Sequence, residues 1–297
     1  MVVSNSVDLQ KLRSGTLYCR GRELRYGERT LVMGIINVTT DSFSGDGTSG
    51  RVDLAVAKAI EMVAAGADLL DIGGESTRPQ ARPVDLADEQ ARVVPVIEAL
   101  AARVTVPISV DTRKAKVAEA ALAAGAHVIN DVTGLQDDPD VARVAAAYGA
   151  PVIAMHSPGP SWQVAWPARY RDVVVEVKEY LRRSIQIAVE AGVPRDQVVI
   201  DPGFGFGKTT QDNLSLLRHL SEFRDLEAPI LLGTSRKSTI GKVLDLPVED
   251  RLEGSLATLP LAIAGGADIV RVHDVRASVR VVRMADAVVR GWHDGSD

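Results

Sequence analysis

The chain has 297 residues, of which 46% are hydrophobic, 25% charged and only 4% aromatic, so a soluble globular protein with a sizeable core of alanine, valine, isoleucine and leucine is expected, in one large domain or two ordinary ones. A net charge of −5 and a pI near 5.6 argue against a nucleic-acid surface, and the lack of an 18-residue apolar run argues against a membrane span. The single cysteine, Cys19, excludes an internal disulfide, and the N-terminus MVVSNSVDLQKLRSG lacks the apolar segment of a signal peptide, which together favour the cytoplasm.

Residues 17–30, LYCRGRELRYGERT, alternate around Gly21 and Gly27 and predict a β-hairpin. From residue 31 one rhythm takes over: a short apolar run, a polar or glycine-rich end, then a segment of helical period. In chain order the runs are LVMGIIN (31–37), ADLLDIGG (67–74), VPISVDT (106–112), HVINDVT (127–133), PVIAMH (151–156), QVVIDPG (197–203), PILLGTS (229–235) and DIVRVHD (268–274). Apolar runs of this length predict strands buried on both faces. Between the first two runs, Val56, Ile60 and Val63 share a helical face, with Lys58 and Glu61 turned away. Across residues 168–191, Val173, Val177, Leu181, Ser184 and Ala188 trace a second stripe. Glycine stands just past the last turn in AAGAD (64–68), AAGAH (123–127), AGVP (191–194) and AGGAD (264–268).

Eight strand–helix units of about 30 residues predict a (β/α)₈ barrel of the TIM type. An open doubly wound sheet would need a Gly-rich dinucleotide fingerprint after its first strand, and VTTDSFSGDG is not one. The expected organisation is residues 1–30 as an extension and hairpin under the N-terminal mouth, and residues 31–297 as a single barrel.

In such a barrel the C-terminal strand ends build the active site. Here they read Asn37, Asp71, Asp111, Asn130 with Asp131, Met155 with His156, Asp201, Ser235 with Arg236 and Lys237, and Arg271 with His273. Any one polar strand end is ordinary solvation; a ring rich in aspartate, asparagine, arginine, lysine and histidine is not. Asp111, Asn130, Asp201 and Lys237 suit the edge of a flat heterocycle, because carboxylates accept from paired N–H groups while lysine and asparagine donate. Asn37, Arg271 and His273 suit an anion, through an arginine fork and an amide oxygen for a hard cation.

DPGFGFGKTT (201–210) looks like a nucleotide cradle but has three residues between Gly203 and Gly207 where a P-loop has four. Its Lys208 and Thr209 are expected to start the next helix rather than hold a ligand. The five histidines show neither HxH nor HExxH spacing, so any Mg²⁺ is expected to arrive with substrate phosphates. Ser235 lacks the G-x-S-x-G elbow of a nucleophilic serine.

The segments GIINVTTDSFSGDG, DIGGESTRP, ISVDT, INDV, MH, DPGFGFGK, GTSRKS and RVHD, in this order over about residues 31–290, resemble the bacterial dihydropteroate synthase family. That resemblance implies a cytoplasmic, homodimeric transferase joining 6-hydroxymethyl-7,8-dihydropterin diphosphate to p-aminobenzoate, with release of diphosphate. It implies that Asp111, Asn130, Asp201 and Lys237 hold the pterin with Met155 against the ring. Asn37, Arg271 and His273 would bind diphosphate and Mg²⁺, and Thr77, Arg78 and Pro79 would join Phe206 and Ser235 at the p-aminobenzoate site. Asp111, Asp201, Lys237 and Arg271 are the expected catalytic set. Thr40 replaces the proline usual in the N-V-T-P-D-S-F loop, and SPGPSWQ after His156 is about two residues shorter than the family leads one to expect. A pterin-binding methyltransferase of the corrinoid kind should lack the Ser-Arg-Lys and Ser-Thr-Arg-Pro segments present here, and a non-catalytic paralogue would be expected to lose Arg271, Lys237 or Arg78.

Overall fold

The computed structural model describes residues 14–38, 47–76, 83–159 and 167–292. The eight apolar runs form the strands of one parallel sheet: β3 (Leu31–Asn37), β4 (Leu69–Gly73), β5 (Ile108–Asp111), β6 (Val128–Asp131), β7 (Val152–Met155), β8 (Val198–Asp201), β9 (Leu231–Leu232) and β10 (Ile269–Val272). They are preceded by an antiparallel hairpin, β1 (Gly15–Cys19) and β2 (Arg22–Tyr26). Each strand of the parallel sheet pairs with its sequence neighbour from β3 to β8, and β10 lies between β3 and β9. A parallel bridge from Ile200 to Ile230 closes the ring, reinforced by the Ile200 N–H donating to the Pro229 carbonyl at 2.9 Å. The expected barrel is therefore present. Only PILLGTS falls short of expectation, with a two-residue ladder. Pro229 has no N–H to give, and Ile230 spends its N–H on the Asp268 carboxylate (2.9 Å).

Helices α1 (Gly47–Ala64), α2 (Leu86–Ala101), α3 (Ala115–Ala123), α4 (Asp140–Tyr148), α5 (Val173–Glu190), α6 (Thr210–Arg218), α7 (Ser238–Leu244), α8 (Leu252–Ala264) and α9 (Val275–Val289) follow the strands. The stripe read on α5 is the buried face of that helix. The face read on α1 is not: Ala55, Val56, Ala59 and Met62 are buried, while Ile60 is 42% exposed. Small alanines at helical spacing let α1 lie close to the sheet, and this tertiary fit outweighs the pull of one larger apolar side chain on a neighbouring face. Gly66, just past α1, is left-handed (φ 100°), as a helix-ending glycine should be.

Two apolar clusters form, and their separation explains where the site is. The larger packs the outer strand face against the helices and includes Val32, Leu70, Ile129, Val152, Ile200 and Val270. The smaller lies inside the barrel at its N-terminal end: Leu31, Met33, Leu69, Val128, Ile153, Val199, Leu231 and Ile269 meet Leu17, Cys19, Leu24 and Tyr26 of the hairpin. The hairpin thus plugs the bottom. Gln197 fixes it there, accepting from the Tyr18 N–H (2.7 Å) and donating to the Thr16 carbonyl (3.1 Å). Arg20 donates to the Leu122 and Ala126 carbonyls, and Arg22 to the Val106 carbonyl. The turn is Arg20–Gly21, both with positive φ (50° and 89°), the geometry of a tight two-residue hairpin.

Candidate active site

Side chains alternate along a strand, so a residue two places after an inward apolar one also points inward. Leu69, Val128, Ile153, Val199 and Ile269 line the plugged bottom. Two residues further on stand Asp71, in the middle of β4, and Asn130, Met155, Asp201 and Arg271, each at or next to its strand's C-terminal end. Pairing register places Asp111 beside Asn130 and Met155 beside Asp201. One period-two rule therefore stacks an apolar layer beneath a polar one.

The same rule sorts the doublets that sequence alone left together. Asp131 is out of phase with Asn130, and its carboxylate accepts from the Thr133 N–H (2.7 Å), the Thr133 hydroxyl (2.7 Å) and the Leu135 N–H (2.9 Å). It shapes a loop rather than facing the cavity. His156 is out of phase with Met155 and bonds Lys208 (2.9 Å). Arg236 turns away into a bidentate pair with Asp274 (2.9 and 2.8 Å).

Arg271 is the centre of the polar layer. Its Nε donates to Asp71 Oδ2 at 2.7 Å and its Nη2 to Asp111 Oδ2 at 2.7 Å. Asn130 Nδ2 donates to the same Asp71 oxygen (3.0 Å). The expected heterocycle-binding and anion-binding groups are consequently not two separate clusters, since Arg271 links them. Its Nη1 carries no hydrogen bond among the described residues. Asp71, read in the sequence as a strand end but given no role, is fully buried, and its Oδ1 likewise lacks a partner among the described residues. A buried acceptor with no donor is costly unless something binds to it.

Burial pushes the Asp111 carboxyl up, with Arg271 pulling it back and Asp71, Glu89 and Asp131 adding to the rise. Asp201 is raised to about 6 by burial, against the Gly203 N–H at 2.7 Å and the charges of Lys237, Arg271 and Lys208. Lys237 is lowered to about 8 by burial and by Arg271, with Asp201 and Asp111 opposing. Its ammonium lies 3.9 Å from the centroid of the Phe206 ring, a cation–π contact.

His273 Nδ1 and the Ser235 hydroxyl are hydrogen-bonded (3.0 Å), and the His273 N–H donates to the same hydroxyl (3.2 Å). Burial and the nearby Arg271, Lys237 and Lys58 hold the His273 ring down at about 3, so it is a neutral imidazole near pH 7. It can therefore hydrogen-bond an anion but adds no positive charge. Asn37 closes β3, half-buried.

Thr77, Arg78, Pro79, Thr40 and most of the segment after His156 lie outside the described residues. The residues flanking 77–82 are tied together by Lys114, whose ammonium donates to Glu75, Glu89 and the Val84 carbonyl (2.7 Å). Arg113 pairs with Glu75 (3.4 Å) and Asp137 (2.5 Å). No local pattern signals this brace, because its members come from separate loops and from α2, which carries Glu89.

Three comparisons bear on this geometry. Residues 33–273 match the family model described as "Pterin binding enzyme". The chain is 48% identical to a dihydropteroate synthase of Bacillus subtilis, over 94% of this chain and 96% of that one. It also resembles two solved structures of dihydropteroate synthase from Xanthomonas albilineans. The one with 4-aminobenzoic acid has a TM-score of 0.87 and 46% identity, covering 93% of this chain and 98% of that one. The one in complex with 7,8-dihydropteroate has a TM-score of 0.83 and 44% identity, covering 92% and 98%.

Proposed function

The chain belongs to the pterin-binding enzyme family and, within it, to the dihydropteroate synthases, and we infer from that membership how its own residues carry the reaction. The reaction condenses 6-hydroxymethyl-7,8-dihydropterin diphosphate with p-aminobenzoate to give 7,8-dihydropteroate and diphosphate. The observation that carries the assignment of roles is Arg271, held between Asp71 and Asp111 in the middle of a ring of donors and acceptors at the strand ends.

The pterin is a flat ring with N–H donors along one edge and a carbonyl and ring nitrogens along the other. Asp111 and Asp201 accept from the former; Asn130 and Lys237 donate to the latter, and Met155, buried beside Asp201, packs on the ring. The bond from the exocyclic methylene to oxygen breaks, and its electron pair leaves with diphosphate. The ring delocalises the positive charge left on the methylene, and the Asp111 carboxylate stabilises that cation. The Nη1 of Arg271, which carries no hydrogen bond among the described residues, and the neutral His273 ring hydrogen-bond the departing oxygens. The p-aminobenzoate nitrogen then forms the new C–N bond and loses a proton; a neutral arylamine has its lone pair available, so no protein base is needed. Phe206 and Ser235, with Thr77, Arg78 and Pro79, form its site.

Mg²⁺ is part of the same proposal. Among the described residues no three His, Cys, Asp or Glu side chains converge, whereas Asn37 offers one amide oxygen. That donor set fits an ion completed by phosphate oxygens and water, as Mg²⁺ prefers. The ion would lower the charge on the leaving group. Homodimerisation is proposed through the late helices, supported by exposed Val243 and Leu244 on α7, Leu261 on α8, and Met284 and Val288 on α9. A cytoplasmic setting is proposed from the sequence; among the described residues no helix is long and apolar enough to cross a membrane.

The direct test is a coupled assay of diphosphate release. Release is expected only when p-aminobenzoate and Mg²⁺ are both present, and to stop with EDTA. Release independent of p-aminobenzoate would sink the reading. A second expectation concerns pH. Below about 7 Asp111, and below about 6 Asp201, gains a proton and stops accepting from the pterin, and above about 8 Lys237 loses the charge that strengthens its donation. The value of kcat/KM for the pterin diphosphate should therefore trace a bell with these limbs, since this ratio reports groups of the free enzyme. A profile flat across both limbs would remove Asp201 and Lys237 from the pterin site.

A further inference from the structure

Thr209 behaves as the sequence predicts: it is the N-cap of α6, in a capping box with Asp212. Lys208 does not start the helix as a solvated residue. Its side chain turns back under the DPGFGFGK loop and is 8% exposed. The ammonium meets the Gly203 carbonyl at 2.8 Å, the Phe206 carbonyl at 3.0 Å and His156 Nδ1 at 2.9 Å. An ammonium has three N–H groups, and here all three have acceptors, so none is left for a substrate.

The three acceptors are informative in their placement. Gly203 and Phe206 are the two ends of one turn, closed by the Phe206 N–H donating to the Gly203 carbonyl at 3.1 Å. One cation thus grips both ends of the turn that carries the Phe206 ring. The third acceptor, His156, follows the end of β7, and its ring is wedged by Tyr180 (4.7 Å between centroids) and Tyr170 (5.9 Å). Gly203 has φ 70°, and a Cβ there would collide with the His156 carbonyl oxygen, so the turn sits directly on that strand end. Among the described residues no carboxylate bonds the ammonium. Burial lowers Lys208 to about 7 against the charge of Asp201, so the three-contact ammonium is the form populated at and below that pH. Burial and Lys208 hold His156 well below its ordinary value, which keeps the imidazole neutral and able to accept. From outside, Asn213 Oδ1 accepts from the Gly205 N–H at 2.7 Å, so the turn is held on two sides.

We propose that Lys208 is a positioning residue: by clasping the Gly203–Phe206 turn to His156, it sets the Phe206 ring against the Lys237 ammonium and so shapes the p-aminobenzoate site without touching either substrate. This rests on the assignment of Phe206 to p-aminobenzoate above. It predicts a defect weighted toward p-aminobenzoate, because Asp111 and Asn130 stand on β5 and β6, which the clasp does not touch, and Asp201 meets it only through the Gly203 N–H (2.7 Å).

The test is steady-state kinetics on Lys208→Met, which keeps the aliphatic stem and loses the ammonium, together with hydrogen exchange over residues 203–207. The KM for p-aminobenzoate is expected to rise about tenfold, with kcat and the KM for the pterin diphosphate within about threefold of the parent. Exchange of the 203–207 amides should quicken. His156→Leu, which removes one acceptor, should move the same KM in the same direction, whereas His156→Asn, whose amide oxygen can stand near the Nδ1 position, should restore it. An unchanged KM in a folded variant, unchanged exchange, or an equal loss for both substrates would overturn the clasp. The functional reading fails separately, by the unmodified protein releasing no diphosphate in response to p-aminobenzoate.

Discussion

Replacing Arg271 with methionine is expected to lower kcat/KM by a factor of about 10³, the scale seen when a preorganised donor to developing negative charge is lost. The structural effect follows from the same contacts. Arg271 separates two carboxylates, Asp71 Oδ2 and Asp111 Oδ2, at 2.6–2.7 Å from its guanidinium. Without it they face each other in a buried layer, and removing one partner of a buried ion pair costs about 3–5 kcal/mol. Asp111, already pushed up by burial, relieves part of that by taking a proton. Melting of Arg271→Met should consequently recover toward the parent as pH falls, while activity does not. Arg271→Lys keeps the charge but cannot hold both carboxylates with a planar fork, so it should rescue stability more than turnover. A variant with normal kcat/KM would remove Arg271 from the chemistry.

Asp201→Asn should be nearly as damaging to activity and much milder to the fold. The amide oxygen can still accept from the Gly203 N–H, which the carboxylate holds at 2.7 Å. Its NH₂ group, however, meets the pterin donors with donors. Losing two charge-assisted hydrogen bonds and leaving buried groups unpaired corresponds to a fall in kcat/KM of about 10³. The change also removes the carboxylate charge that does most to sustain the Lys237 ammonium, so the alkaline limb near 8 should move to lower pH. Asp201→Ala should abolish dihydropteroate formation with the fold intact. Calorimetric titration with the pterin diphosphate and circular dichroism separate the two effects; near-normal activity in either variant would remove Asp201 from the site.

The barrel was legible because its signal is redundant. Eight apolar runs, each bounded by polar or glycine residues and followed by a helical segment, leave few other ways to bury both faces of every strand. The buried face of α1 is not legible in this way, because burial there depends on how close alanines let the helix approach, which no periodicity encodes. Nor is the shortness of β9 legible, since a run of apolar residues does not reveal that the Ile230 amide is spent on Asp268.

The residues of the site were legible as a set but not as a geometry. Alternation along the strands already determines that Asp71, Asn130, Asp201 and Arg271 point inward once Leu69, Val128, Val199 and Ile269 do. Sequence by itself thus fixes which side chains crown the barrel and, through ordered motifs, which family they belong to. Tertiary structure alone decides what those side chains touch. Arg271 and Asp71 lie 200 positions apart in the chain, and Lys208 and His156 lie 52 apart. Such contacts arise from closure of the ring and from the path of a single loop. Local pattern carries no information about either, because the energy of a buried charge is set by whichever partners the fold brings within about 3 Å.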